Sequence, residues 1–332
     1  MTATAPTPRF DILGIGNAIV DVVAPVPESF ISHHDMRKGS MTLIDAARAE
    51  AIYAAMPPAQ ESSGGSAANT CAVAAGLGAR VAYLGRVADD QLGRVFRHDI
   101  AAAGVHFPTP PLVGGAPTAR CMILVTPDGQ RTMNTFLGAC VAFTETEVDE
   151  QAVAAAQVAY LEGYLYDDPA AQAAFRRAAE LAHTAGRQVA LTLSDSFCVD
   201  RHRDAFRALV RGHVDILFAN EAELCSLYQR NTLEEALADV RGEVALAAVT
   251  RSEQGSVVLR GTETVAEPAA PAQVVDTTGA GDAYAAGFLT AYTAGRSLRA
   301  CARLGSLAAA EVIGHYGARL QRDLKAEAAA LD

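Results

Sequence analysis

Asp276-Thr277-Thr278-Gly279-Ala280-Gly281-Asp282 runs directly into an apolar segment of helical length, 279–294, that contains Tyr284, Phe288 and Leu289. Gly-Ala-Gly at a helix entrance leaves backbone N–H groups unpaired at the positive end of the helix dipole, which suits negative charge on a phosphate. Asp282 falls in the first helical turn, close enough to take a proton from a hydroxyl attacking that phosphate. A plain glycine turn with a capping carboxylate fits the same residues. The rest of the chain has to decide between the two.

Downstream of this heptapeptide the spacing predicts helices over 279–294 and 298–313 and a final one after 318. Upstream, short apolar runs at 10–15, 81–84, 189–193, 214–218 and 244–249 alternate with Ala-rich segments of helical length. Near-continuous Val/Ile/Leu runs suit the middle of a parallel sheet covered by helices on both faces. The stretches 17–45 and 112–140 read differently, and Met122 to Val125 followed by Pro127-Asp128-Gly129 predicts a hairpin. The expectation is an α/β chain: a large nucleotide-binding core from 1–16, 47–111 and 141–332, and a small β lid from 17–46 and 112–140. The lid would cover the carboxyl edge of the sheet, where open α/β sheets place ligands.

The chain has 332 residues, half of them apolar and a fifth charged, ample for a packed interior. Its 27 basic and 38 acidic residues give a formal charge of −11, which disfavours broad attraction to nucleic acid or anionic lipid. Six scattered cysteines, without metal-ligand spacing, read as reduced thiols. The first residues lack a basic and apolar leader pattern and no run reaches membrane-spanning length, so a soluble cytoplasmic protein is expected.

Gly64-Gly65-Ser66-Ala67-Ala68-Asn69 leads into a second small-residue helix, 70–78. The glycines would let a ligand approach the backbone, and Asn69 can donate to and accept from hydroxyls, a combination suited to a ribose or sugar. Asn17 and Asp21, after Gly14-Ile15-Gly16, could form another hydroxyl-binding pair at the lid hinge. A dinucleotide fingerprint fails there because Ile19 holds the third glycine position. A serine-hydrolase elbow fails at Ala68, and neither of the chain's lysines, Lys38 and Lys325, lies in a P-loop.

Gly64 to Asn69 together with Leu84-Gly85-Arg86-Val87-Ala88-Asp89-Asp90-Gln91-Leu92-Gly93 resembles the first signature of the PfkB, or ribokinase-like, carbohydrate kinases. The Asp276 to Asp282 heptapeptide resembles the second, and Asn220-Glu221-Ala222-Glu223 resembles the family's N-x-x-E motif. The resemblance implies a ribokinase-like doubly wound, mainly parallel sheet with a small β lid, and ATP-dependent phosphorylation of a hydroxymethyl group. It implies that Asp282 is the general base and that Gly279, Ala280 and Gly281 hold the transferring phosphoryl group. Asn220 and Glu223 would organise Mg2+ through water, Arg131 would meet the phosphates, and Thr250, Gly255 and Thr277 would touch the nucleotide. Ser252 stands where the family's T-x-G-x-x-G has its first glycine, a departure that bears on that loop. A K+ ion near the Asp276 loop occurs in parts of the family, and the sequence leaves its use open.

The acceptor is read from local residues. Leu191-Thr192-Leu193-Ser194-Asp195-Ser196-Phe197 and Phe218-Ala219-Asn220-Glu221 are similar to segments of the family's adenosine kinases. That likeness implies that Phe197 stacks on a purine, that Phe218, Cys121, Leu137 and Ala139 line an apolar slot, and that Asn17, Asp21, Gly65 and Asn69 hold the ribose. Phosphorylation of the adenosine 5′ hydroxyl is the leading expectation, with a fructokinase or ribokinase as alternative. A nonenzymatic sensor is disfavoured by the intact Asp282 loop. Monomer and homodimer are both open.

Overall fold

The computed structural model describes residues 7–331. In chain order the strands are β1 Phe10–Ile15, β2 Ile19–Pro25, β3 Met41–Leu43, β4 Gln60–Gly64, β5 Val81–Leu84, β6 Val105–His106 and β7 Ala119–Val125. They continue with β8 Arg131–Phe136, β9 Ala156–Glu162, β10 Gln188–Thr192, β11 Ile216–Asn220, β12 Leu246–Thr250, β13 Ser256–Arg260 and β14 Glu263–Glu267. Among the described residues they build two sheets, one of nine strands in the order β14-β13-β12-β11-β10-β9-β1-β5-β6 and one of five in the order β3-β8-β7-β2-β4. The large sheet is parallel from β6 to β12, with β13 and β14 added antiparallel. This is the ribokinase-like α/β architecture expected from the sequence, with the small sheet as its lid.

The central strands are buried on both faces, as their unbroken apolar runs require. Phe10, Leu13 and Ile15 pack against one helical layer with Phe175 and Phe206. Ile12, Tyr160 and Phe218 pack on the other side, where helices Ser66–Gly76, Ala280–Thr293 and Leu298–Val312 lie. Helix Ser66–Gly76 is built mostly of small residues, and it packs against helix Ala280–Thr293. No helix among the described residues is long and apolar enough to cross a membrane, and none of the six cysteines is joined in a disulfide.

Two departures from the sequence reading matter. Strand β9, between β1 and β10, was hidden because Ala156-Gln157-Val158-Ala159 continues an Ala-rich helical run without a turn signal. Residues 60–64, assigned to the core by sequence, form β4 and pair antiparallel with β2 in the small sheet. Helix Ala46–Ala55 likewise puts Ala49 and Ile52 against Met122 of β7. The Thr126–Gln130 turn joins β7 to β8 as the Pro127-Asp128-Gly129 signal predicts, Thr126 N–H donating to the Gln130 carbonyl at 2.9 Å.

Candidate active site

The site grows from the carboxyl ends of β1, β9, β11 and β12, where the chain leaves the sheet and its polar groups can face a ligand. At its centre two helix entrances meet on one carboxylate. Gly279 takes a left-handed φ of 77° as the N-cap of helix Ala280–Thr293, which puts Asp282 in the first turn. Ser66 Oγ, at the start of the other helix, donates to Asp282 Oδ1 at 2.6 Å, and Asn69 Nδ2 donates to Oδ2 at 3.3 Å. Burial pushes the Asp282 carboxyl up to about 6, against the pull of those two hydrogen bonds and of the Arg319 charge. Such a carboxylate is ionised near neutral pH yet more basic than a solvated one, as a general base needs.

The glycines divide into two kinds. A Cβ on Gly281 would meet nothing within 4 Å, so the backbone before Asp282 opens on free space. A Cβ on Gly65 would lie 2.1 Å from the Asn17 carbonyl oxygen, and one on Gly64 would lie 2.2 Å from Asp21 Oδ2. In the Cβ direction those two glycines make room for the β2 entrance.

Asn17 is buried and does not face Asp21. Its Nδ2 donates to Glu162 Oε1 at 2.9 Å, while the Ala67 N–H donates to Glu162 Oε2 at 2.8 Å. Glu162, at the end of the unforeseen β9, thus clamps the β1 exit to the Ser66 helix. Burial raises its carboxyl to about 7 despite these donors. A lone carboxylate closing the apolar run Val158 to Leu161 was its one sequence signal. Asp21 points from β2 toward Gly64; burial lifts it to about 6, opposed by Arg319 and Arg131. Cys121 pairs with Asp21 in register on β7 and accepts a hydrogen bond from Thr135 at 3.2 Å.

Arg131, on lid strand β8, reaches the Asp276 loop. It forms a buried ion pair with Asp276 at 2.5 Å and donates to Thr278 Oγ1 at 3.1 Å. Asn220 and Glu223 form a closed capping box: Glu223 N–H donates to Asn220 Oδ1 at 2.8 Å, and Asn220 donates to both Glu223 oxygens. Burial raises Glu223 to about 7. No group of three or more His, Cys, Asp or Glu side chains able to hold a metal ion occurs among the described residues. Asn220 stands beside Thr250 in register across β11 and β12, and Thr277 is exposed at the head of the glycine loop. Ser252 adopts a φ of 50°, so the serine takes on the left-handed turn that glycine would have taken freely.

The residues expected to meet the base separate. A cavity of about 170 Å³ is lined by Asn17, Leu137, Val141, Tyr164, Leu165 and Asp168, which keeps Leu137 at the site and adds Tyr164 and Val141 to it. Phe197 is 73% exposed, a bare aromatic face two residues beyond the Asp195 turn. Phe218 and Ala139 do not line a slot. Phe218 is packed edge-on between Tyr160 and Phe288, and Ala139 is fully buried within the 3-10 turn Gly138–Ala142 that follows β8.

The model of the pfkB family carbohydrate kinases matches residues 39–324. A solved structure described as adenosine kinase from Sinorhizobium meliloti superposes with a TM-score of 0.89 at 54% identity, covering 97% of this chain and 99% of that one. A protein named adenosine kinase from Saccharomyces cerevisiae is 30% identical, over 91% of this chain and 94% of its own length. An ATP-dependent ribose-1-phosphate kinase from Halopiger xanaduensis is 32% identical, over 78% of this chain and 83% of its own.

Proposed function

The chain belongs to the pfkB family of carbohydrate kinases and is a phosphotransferase with an alcohol group as acceptor; from that premise we propose that it transfers the γ-phosphoryl group of ATP to the 5′ hydroxyl of adenosine, giving ADP and AMP. The observation that carries the reading is the convergence of Ser66 and Asn69 on Asp282 beside the open backbone of Gly281. A hydroxyl delivered to that carboxylate stands next to the open Gly281 N–H, so proton removal and phosphate binding occur at one point.

Asp282 accepts the proton of the attacking hydroxyl. The Gly281 N–H at the head of the helix binds the phosphoryl oxygens as charge gathers on them, while the Ala280 N–H already donates to the Thr277 carbonyl at 3.2 Å, which removes it from the expected phosphoryl cradle. Asn69 and Asp21 orient the ribose, and Asn17, held by Glu162, fixes the hinge from which the lid rises. The Asn220/Glu223 box, each of whose carboxylate oxygens accepts a hydrogen bond from Asn220, would hold Mg2+ through water. When bound, the ion would neutralise phosphate charge. Phe197 supplies a free face for a purine, and the cavity beside Leu137 and Tyr164 extends the apolar surface.

A second reading is a sugar or sugar-phosphate kinase. It is favoured by the withdrawal of Phe218 and Ala139 into the core, which shortens the apolar slot a base would need. ADP release with adenosine, inosine, guanosine, ribose, ribose 1-phosphate and fructose, each with ATP and Mg2+, separates the two. Adenosine should drive turnover, and Asp282→Asn should lose it by about 10²–10⁴-fold. Preference for ribose 1-phosphate or fructose would sink the nucleoside reading while leaving the base in place.

A further inference from the structure

The segment that follows helix Leu298–Val312 touches three parts of the site at once. Tyr316 lies under the Arg131 guanidinium at 5.4 Å, and Ala318 packs on Gly279, where a Cβ would come within 2.6 Å of the Ala318 Cβ. Gly317, at a φ of 95°, turns the chain between them. Arg319 then passes under the Ser66 helix. Its guanidinium donates to the Ser63 carbonyl at 2.5 Å, to Ser63 Oγ at 2.8 Å and to the Ala68 carbonyl at 3.1 Å, with a longer bond to Asn69 O at 3.5 Å. Ser63 is itself held by Asp99, which accepts from its N–H at 2.8 Å.

A guanidinium in this place has more to do than tie down a loop. It is desolvated among Asp99, Asp21 and Asp282, with Cys71 beside them. Five donors in a rigid fork can bond backbone carbonyls and still present their charge to carboxylates nearby. Asn69, whose carbonyl Arg319 holds, is the residue whose amide donates to Asp282.

We propose that Arg319 is a positioning residue of the phosphoryl-transfer site: it holds the Ser63–Asn69 entrance, whose Ser66 and Asn69 bond Asp282, and adds a positive charge that favours the carboxylate form. The inference rests on the reading of Asp282 as the base. The other groups electrostatically linked to Asp282 are Asp21 on β2, Tyr160 and Glu162 on β9, Tyr164 just beyond it, and Glu223 after β11. All of these are neutral or negative, so Arg319 is the cation in the set, and it also acts on Asp21. Removing its charge makes ionised Asp282 harder to maintain, so the base becomes available only at higher pH.

The test is the pH dependence of kcat with ATP, Mg2+ and adenosine for the full chain and for Arg319→Gln, Arg319→Met and Arg319→Lys, each checked for folding by circular dichroism and thermal midpoint. The neutral variants should move the acid limb upward by about one pH unit, with the loss in kcat exceeding any change in the KM for ATP. Arg319→Lys keeps the charge and should keep the limb near its place while losing rate through poorer geometry. A limb that stays put in a folded neutral variant overturns the proposal, and so does collapse of both neutral variants, which would make the arginine structural. Asp282→Asn is run alongside. If that variant still turns over, the base reading falls; if it is dead while the limb is unmoved, only the role of Arg319 falls.

Discussion

At Gly281 the space a side chain would fill is empty, while at Gly65 it is taken by the Asn17 carbonyl. The same missing Cβ therefore predicts opposite phenotypes. Gly281→Ala should cost no stability, because alanine is the better helix residue and meets no atom. It should nevertheless lower kcat/KM for ATP by at least about tenfold, if that space receives the phosphoryl group as electrostatic and close-approach arguments require. Steady-state kinetics together with a melting curve check both halves. Gly65→Ala, at a φ of 97° and with the Asn17 oxygen in the way, should instead lose stability before any kinetic effect can be read.

Between elements, the Arg131–Asp276 pair is the link from the lid to the glycine loop. Both side chains are nearly buried, at 10% and 7% exposure, so neither charge is well served by solvent once the other is removed. Arg131→Met should speed amide exchange in β7 and β8 and in the loop at 276–279, because β8 loses its anchor on the large domain. Breaking one partner of a buried pair is costlier than losing both. A cycle with Asp276→Asn should thus show a coupling of about 1–3 kcal/mol in unfolding free energy. Independent, additive effects would mean that the pair does not hold the lid.

For the whole molecule, the pooled buried carboxylates set a pH trend. Glu162 and Glu223 are raised from 4.5 to about 7, and Asp21 and Asp282 from 3.8 to about 6, with burial the largest cause in each. A folded state that holds protons the unfolded chain has already released loses stability as pH rises. The window runs from the ordinary carboxyl value up to about 7. Asp11, Asp90 and Glu147 are shifted downward, so their windows lie below it. The thermal midpoint of the protein without nucleotide should therefore fall between pH 5.5 and 7.5, and Glu162→Gln should flatten the fall. A midpoint that rises over that interval would contradict the burial of these groups.

Local chemistry was legible in the sequence, and long-range chemistry was not. The Gly279–Gly281 turn, the Asp282 position, the Asn220 cap and the β7–β8 hairpin follow from turn and capping preferences that act within a few residues. The alternation of apolar runs and helices is equally local, and it determined the α/β class, while the likeness to the family came from the motifs at 64–69, 84–93, 220–223 and 276–282. Glu162 and Arg319 escaped because their partners lie 145 and 256 residues away, at Asn17 and Ser63. Nothing in the neighbouring sequence distinguishes them from surface charges. Nor could the sequence say which of two phenylalanines was free. Phe218 sits on the face of β11 that helix Ala280–Thr293 covers, whereas Phe197 opens a helix beyond the sheet edge, and only the packing of layers assigns those sides. Asp282 and its glycine turn were written in one heptapeptide; the Ser66, Asn69, Glu162 and Arg319 groups gathered around it exist as a cluster because the folded sheets bring together distant parts of the chain.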